Sequence, residues 1–262
     1  MKFRPTNNRP DTAAFTMVEI AICLGIIGFA LTSILLVLPL GMNTQRDNRE
    51  ETIINQDATV LLEAVRNGTH GANDLTNYVY AITNHWASYN VNGTPTLGKN
   101  GYTYTAASLN GIPNAYYSLT NGAHIVGLLS TPEFTDLNGM PISSLFNTAG
   151  YSNHVVAYVR SLSGLAAEKP PQDNQIMKED TFSYRILCVN APVPFDTNSA
   201  FAGFSKQLSA NLHELRMTFL WPQLPNGKLG NGRQTFRATI AGQIARTNDL
   251  YFYQSQSFTN AP

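Results

Sequence analysis

The chain has 262 residues, and its 17 basic and 17 acidic side chains balance to a formal net charge of zero. With 13% charged and 43% hydrophobic residues it is neither a polyelectrolyte nor a disordered tail, and it lacks the basic excess on which nucleic-acid binding rests. Two cysteines in this length exclude a scaffold built on disulfides.

Residues 1–14 are polar and hold Lys2, Arg4 and Arg9 against one acid, Asp11. Phe15-Thr16-Met17-Val18-Glu19 follows, and an uncharged, mostly apolar run then extends from Ile20 to Met42. A spanning helix needs roughly 20 such residues. The basic flank holds the N-terminus in the cytoplasm and sends the remainder across. Thr32 and Ser33 can return their hydroxyls to the preceding turn, and the effect of Pro39 is local. A secretory signal has a shorter core, about 7–15 residues, followed by a small-x-small cleavage site. Here Pro39-Leu40-Gly41-Met42 leads straight into helix-like sequence. A plain signal anchor leaves Glu19 unexplained, because a lone carboxylate at the head of a membrane segment is costly without a partner.

Ala14-Phe15-Thr16-Met17-Val18-Glu19-Ile20 resembles the processing motif of type IV prepilins and type II secretion pseudopilins. The match lies in the register of leader, Phe, Glu and hydrophobic run, and it covers about the first fifth of the chain. The resemblance implies cleavage between Ala14 and Phe15 by a prepilin peptidase and methylation of the new amine. It makes Glu19 the fifth mature residue, which neutralises the amine of a neighbouring subunit and so sets axial register. The family normally has Gly before the cut; here it is Ala14, the next smallest residue. The implied partners are other pilin-like subunits, the peptidase, an inner-membrane assembly platform and membrane lipid. The implied location is the bacterial inner membrane, single-pass, with the C-terminal domain periplasmic or extracellular in a filament.

The helix is expected to continue past the membrane, from Phe15 to Arg66, because no Pro or Gly interrupts 43–66. At 1.5 Å per residue it would be roughly 75 Å long. Ile54, Ala58, Leu61 and Val65 recur at steps of four, three and four and form an apolar stripe. Arg46, Arg49, Glu50, Glu51 and Asp57 are assigned to wetter positions, and Asn67-Gly68 supplies the stop.

Residues 67–262 are expected to form a globular domain outside the membrane. Tyr78–Ile82 suits either a short helix or a strand, and 90–101 reads as a loop. Tyr102-Thr103-Tyr104 and Ala115-Tyr116-Tyr117 are strand-like, and Ile125–Leu129 reads as a buried strand closed by Thr131-Pro132. Residues 136–150 look irregular. His154–Arg160 is a strand, and 166–178 is an exposed linker. Phe182, Tyr184, Ile186 and Cys188 give the next strand an apolar face, ended by Pro192 and Pro194. Leu215, Met217, Phe219 and Trp221 do the same for another, and a long loop over 222–232 leads to a return strand bearing Phe236, Ala238 and Ile240. The fold class is therefore α+β: a long N-terminal helix, membrane-spanning to about residue 42 and amphipathic beyond, packed on a C-terminal antiparallel sheet.

No catalytic arrangement stands out. His213-Glu214 begins like a zinc-protease motif, but Met217 stands where the second His belongs, and alternation puts the pair on a strand as solvent-side polar residues. Cys23 and Cys188 are read as buried small hydrophobes that cannot meet. Asp196-Thr197-Asn198 and Asp173-Asn174 carry oxygens of the kind calcium takes, but two short loops define no site. No cofactor, no metal and no enzymatic activity are expected. The leading expectation is a structural filament subunit; the alternative is a membrane-tethered extracytoplasmic binding protein, with Tyr116 and Tyr117 as candidate aromatic anchors.

Overall fold

The computed structural model describes residues 15–68, 72–96, 100–105, 119, 121–145, 147–163, 182–194, 202–254 and 257–258. A single helix, α1, runs over Met17–Asn67, a length of 51 residues with Pro39 inside it. It stops before Gly68, which has φ of 73°, the left-handed conformation that glycine adopts without a Cβ clash. Two compact units divide the chain, Met1–Glu51 and Thr52–Pro262. The first holds the apolar part of α1, where Phe15, Phe29 and the Leu and Ile side chains between them stand exposed in the single chain. Thr32 and Ser33 donate to the carbonyls of Gly28 and Phe29, so neither hydroxyl is left bare in the run.

The second unit contains the last turns of α1 and a sheet. Its strands are β1 (Val79–Tyr89), β2 (Asn100–Thr105), β3 (Phe134–Asp136), β4 (Gly150–Arg160), β5 (Ser183–Pro192), β6 (Leu212–Gln223) and β7 (Leu229–Ala241). They lie in the order β2-β1-β4-β5-β6-β7, with β3 paired to β4 beside the end of β5, and every pairing is antiparallel. Strict alternation makes one face dry. Val155, Ala157 and Val159 of β4 stand directly opposite Cys188, Ile186 and Tyr184 of β5, all buried. Leu215, Met217 and Phe219 of β6 continue that face. Tyr184 and Phe219 pack with ring centroids 5.4 Å apart, and Phe236 of β7 meets Phe219 edge-on at 5.3 Å.

The outer part of α1 covers this dry face. Ile54, Ala58, Leu61 and Val65 are fully buried and belong to the same apolar core as the strands. The strands expected at 154–160, 182–192 and around 215–221 and 236–240 are present with the expected inward residues, and Val79–Ile82 resolves as the start of β1, with Tyr78 in the turn before it. The 222–232 loop is tighter than expected, because Leu224 and Lys228 close it by a hydrogen bond around Gly227 and β7 starts at Leu229.

Three features differ from the sequence-based expectation. Ile125–Leu129 lies in a helix, α2 (Gly122–Leu129), and not in a strand. Asn121 caps it by accepting from the Ala123 amide at 2.9 Å, and Ser130 and Thr131 return their hydroxyls to the carbonyls of Val126 and Leu128. An apolar run this short carries no period that separates helix from strand, and the caps on either side decided it. A further helix, α3 (Ala202–Asn211), precedes β6, and a separate hairpin of β8 (Gln243–Thr247) and β9 (Leu250–Gln254) follows β7. Gly127 of α2 admits this hairpin: a Cβ there would meet Leu250 Cβ at 2.8 Å and Phe252 Cζ at 2.9 Å. Residues 115–117 and the 166–178 linker lie outside the described residues.

Candidate functional site: the helix head and the helix–sheet seat

At the head of α1, Thr16 and Glu19 form a reciprocal cap. The Thr16 amide donates to Glu19 Oε2 at 2.8 Å, the Thr16 hydroxyl donates to the same oxygen at 3.0 Å, and the Glu19 amide donates to Thr16 Oγ1 at 3.3 Å. A Thr followed three residues later by Glu satisfies two of the amides that every helix start leaves open. Sequence reasoning missed this role, although Thr16-Met17-Val18-Glu19 spells the capping pattern. Glu19 therefore has an intrachain function. It leaves the carboxylate within one turn of Phe15, whose side chain is 81% exposed. Ala14 and the leader lie outside the described residues. Cys23 is exposed on the apolar run, contrary to the buried position expected of it, because the isolated chain has nothing packed there.

Farther along α1, Ile54, Ala58, Leu61 and Val65 are all buried, with a polar residue among them. Asp57, assigned to the wet face, is fully buried. Its Oδ2 accepts from the Leu162 amide at 2.9 Å and from the Tyr184 hydroxyl at 2.9 Å, while Oδ1 accepts from the Ser163 hydroxyl at 2.5 Å. The segment it grips is the exit of β4, itself held by Ser161 Oγ donating to the Ser163 carbonyl at 2.7 Å. Burial pushes the Asp57 carboxyl above its ordinary range, and the Ser163, Leu162, Tyr184 and Ser161 hydrogen bonds pull the other way. Tyr184 is driven well above the usual phenol range, by burial first and by the adjacent Asp57 charge second. The misassignment has a simple source. Asp57 stands one position before Ala58, at the border of the stripe, and side-chain chemistry alone places an acid in water there.

The pair His213-Glu214 is split by the strand. Glu214 faces outward and sits 3.8 Å from Arg216 and 3.6 Å from Arg237, while His213 points into the core, against the expectation that both are solvent-side. Its ring packs edge-on to Tyr253 of β9 at 5.9 Å, and burial lowers its pKa to about 4. Cys188 is buried as expected, its thiol donating to the Leu129 carbonyl at 3.0 Å and pushed up to about 12 by burial. The Asn190 amide donates to the Ser130 carbonyl at 2.7 Å, so β5 terminates the end of α2 with side chains.

Among the described residues no three His, Cys, Asp or Glu side chains converge as metal ligands. A shallow cleft of about 370 Å³ is lined by Tyr89, Gly93, Phe134, Ser144, Leu145 and Ser152, a set without a carboxylate, imidazole, amine or thiol. Asp173-Asn174 and Asp196-Thr197-Asn198 lie outside the described residues.

Compared with protein-family models, curated proteins and solved structures, the chain matches none. Its architecture is a long, partly apolar N-terminal helix followed by an antiparallel sheet domain on which the outer helix packs, the coarse plan of pilin-like proteins. The helix is long and apolar enough to cross a membrane, which is consistent with a single-pass anchor; a signal sequence passes the same test.

Proposed function

We propose that the chain is a structural subunit of a type IV pilus-like or type II secretion pseudopilus-like filament. In this reading a prepilin peptidase removes residues 1–14, α1 holds the subunit in the bacterial inner membrane, and an assembly platform passes it into a filament of related subunits. The observation that carries the proposal is the division of labour along α1. Its outer turns are committed to the sheet, whereas every large apolar side chain from Phe15 to Met42 is exposed and needs lipid or a sister helix. Ala21, Gly25 and Gly28 fall on one side of this segment, and an added Cβ at either glycine meets nothing within 4 Å, which leaves room for a second backbone to approach. Glu19 supports the same reading, because its charge stands beside the position where cleavage creates the Phe15 amine.

The test is mass spectrometry of the N-terminus from native membranes, combined with crosslinking between cysteines placed on neighbouring helices. A chain that starts at a methylated Phe15 and crosslinks into a ladder is the expected result. An intact leader, or a start beyond Met42, overturns the filament proposal. A correctly cleaved chain that stays monomeric favours the membrane-tethered binding protein instead.

A further inference from the structure

The β1–β4 register places His85 directly opposite His154. Both are exposed, on the face of the sheet opposite the core residues Ile82, Val155 and Ala157. Side chains directly opposed on an antiparallel pair have Cβ atoms roughly 5 Å apart and project in the same direction. Two imidazoles in that relation can turn one nitrogen each toward a common point about 2 Å from both, the distance of a metal–imidazole bond. The surroundings favour this use. The neighbours on the same face of the two strands are Thr83, Ala87, Ser152 and Val156, so no acid or base stands beside either ring on its own strand. On the other side of His85 the β2 partner is Gly101, which has no side chain to crowd the ring.

We propose that His85 and His154 form an open, two-histidine site for a divalent transition-metal ion. The chemistry selects borderline ions with a high affinity for imidazole, with Cu2+ tightest and Ni2+ and Zn2+ weaker. Water completes the coordination, because no third His, Cys, Asp or Glu among the described residues joins the pair. An ion held there ties β1 to β4 at mid-strand and offers free positions to a donor from outside the chain. The proposal stands independently of filament assembly, since both ligands belong to the sheet.

The test is titration of the full chain in detergent with Cu2+, Ni2+ and Zn2+ salts by calorimetry, with electron paramagnetic resonance of the copper form. The unmodified chain should bind one copper ion most tightly and show nitrogen couplings in its spectrum. His85→Ala and His154→Ala should each weaken binding by about tenfold or more, because the chelate is lost with its first arm, and the double variant should bind no more tightly than the weaker single. His124→Ala should bind like the unmodified chain. Absence of copper uptake by the unmodified chain, uptake that survives both substitutions, or loss on His124→Ala alone overturns the proposal.

Discussion

Tyr184 of the central strand β5 donates its hydroxyl to Asp57 of α1 at 2.9 Å, and both residues are fully buried. The seat of the long helix is thus keyed by a carboxylate as well as by an apolar stripe. Asp57 makes no ion pair among the described residues, so its oxygens depend on Leu162, Ser163 and Tyr184. A buried carboxylate with only neutral donors is sensitive to any change that adds charge or removes an acceptor.

The first prediction follows from that sensitivity. Asp57→Lys should destabilise the sheet unit by about 3–5 kcal/mol, because it buries an unpaired cation and orphans three donors. Asp57→Asn should cost about 1–3 kcal/mol, since it keeps the shape and one acceptor oxygen. Leu61→Asp, in the centre of the stripe, should cost roughly 3 kcal/mol or more. Denaturant melts of the full chain in detergent measure all three; a neutral Asp57→Lys would show that the helix does not seat through this residue.

The second prediction concerns pH, and two buried groups act with opposite sign. His213 is lowered from 6.5 to about 4, so the unfolded chain binds the extra proton first, and this contribution is present above pH 6.5 and lost as pH falls toward 4. The span corresponds to roughly 3 kcal/mol. Asp57 is raised above 3.8, so its contribution is complete below that value and declines as pH rises through its folded pKa. Stability measured from pH 7 to pH 4 should fall in the unmodified chain. In His213→Gln the fall should vanish or reverse, leaving the Asp57 trend. A fall of unchanged size in His213→Gln would assign the acid lability elsewhere.

The third prediction separates the two roles of Glu19. Glu19→Gln keeps an acceptor for Thr16 and hence the helix cap, but removes the charge. Thr16→Ala keeps the charge and loses the cap hydroxyl, at a cost of about 0.5–2 kcal/mol to the helix end. If the charge registers subunits, Glu19→Gln should be cleaved and inserted yet absent from crosslinked ladders, while Thr16→Ala should still assemble. Normal ladders from Glu19→Gln would leave capping as the role of this side chain.

The fourth prediction tests the hairpin over α2. Gly127→Val adds three carbons where even one would meet Leu250 and Phe252, so β8 and β9 must shift, at about 1–3 kcal/mol. Limited proteolysis should then cut faster within 243–254, with the β1–β7 sheet otherwise intact. Equal protection in the variant would mean that the hairpin does not seat against Gly127.

The sequence by itself determined the elements whose side chains repeat with a clear period. The apolar run from Ile20 to Met42 is legible from its length and unbroken apolarity, and the stripe Ile54-Ala58-Leu61-Val65 and the alternating strands β5 and β6 are legible because burial on one face imposes the spacing of 3.6 or 2 directly on the residues. The stop at Gly68 is legible because only glycine adopts that backbone without cost. Tertiary structure decided what has no period. The run Ile125–Leu129 became a helix through caps at both ends. His213 shares the parity of Leu215, Met217 and Phe219, so the alternation of β6 already pointed it inward, and its polar character alone had placed it in water. Asp57 went inside because partners from 105 to 127 residues away, Leu162, Ser163 and Tyr184, supply its hydrogen bonds. Likewise, the pairing of His85 with His154 exists only in the register of two strands, since two histidines so far apart in sequence carry no local signal of each other.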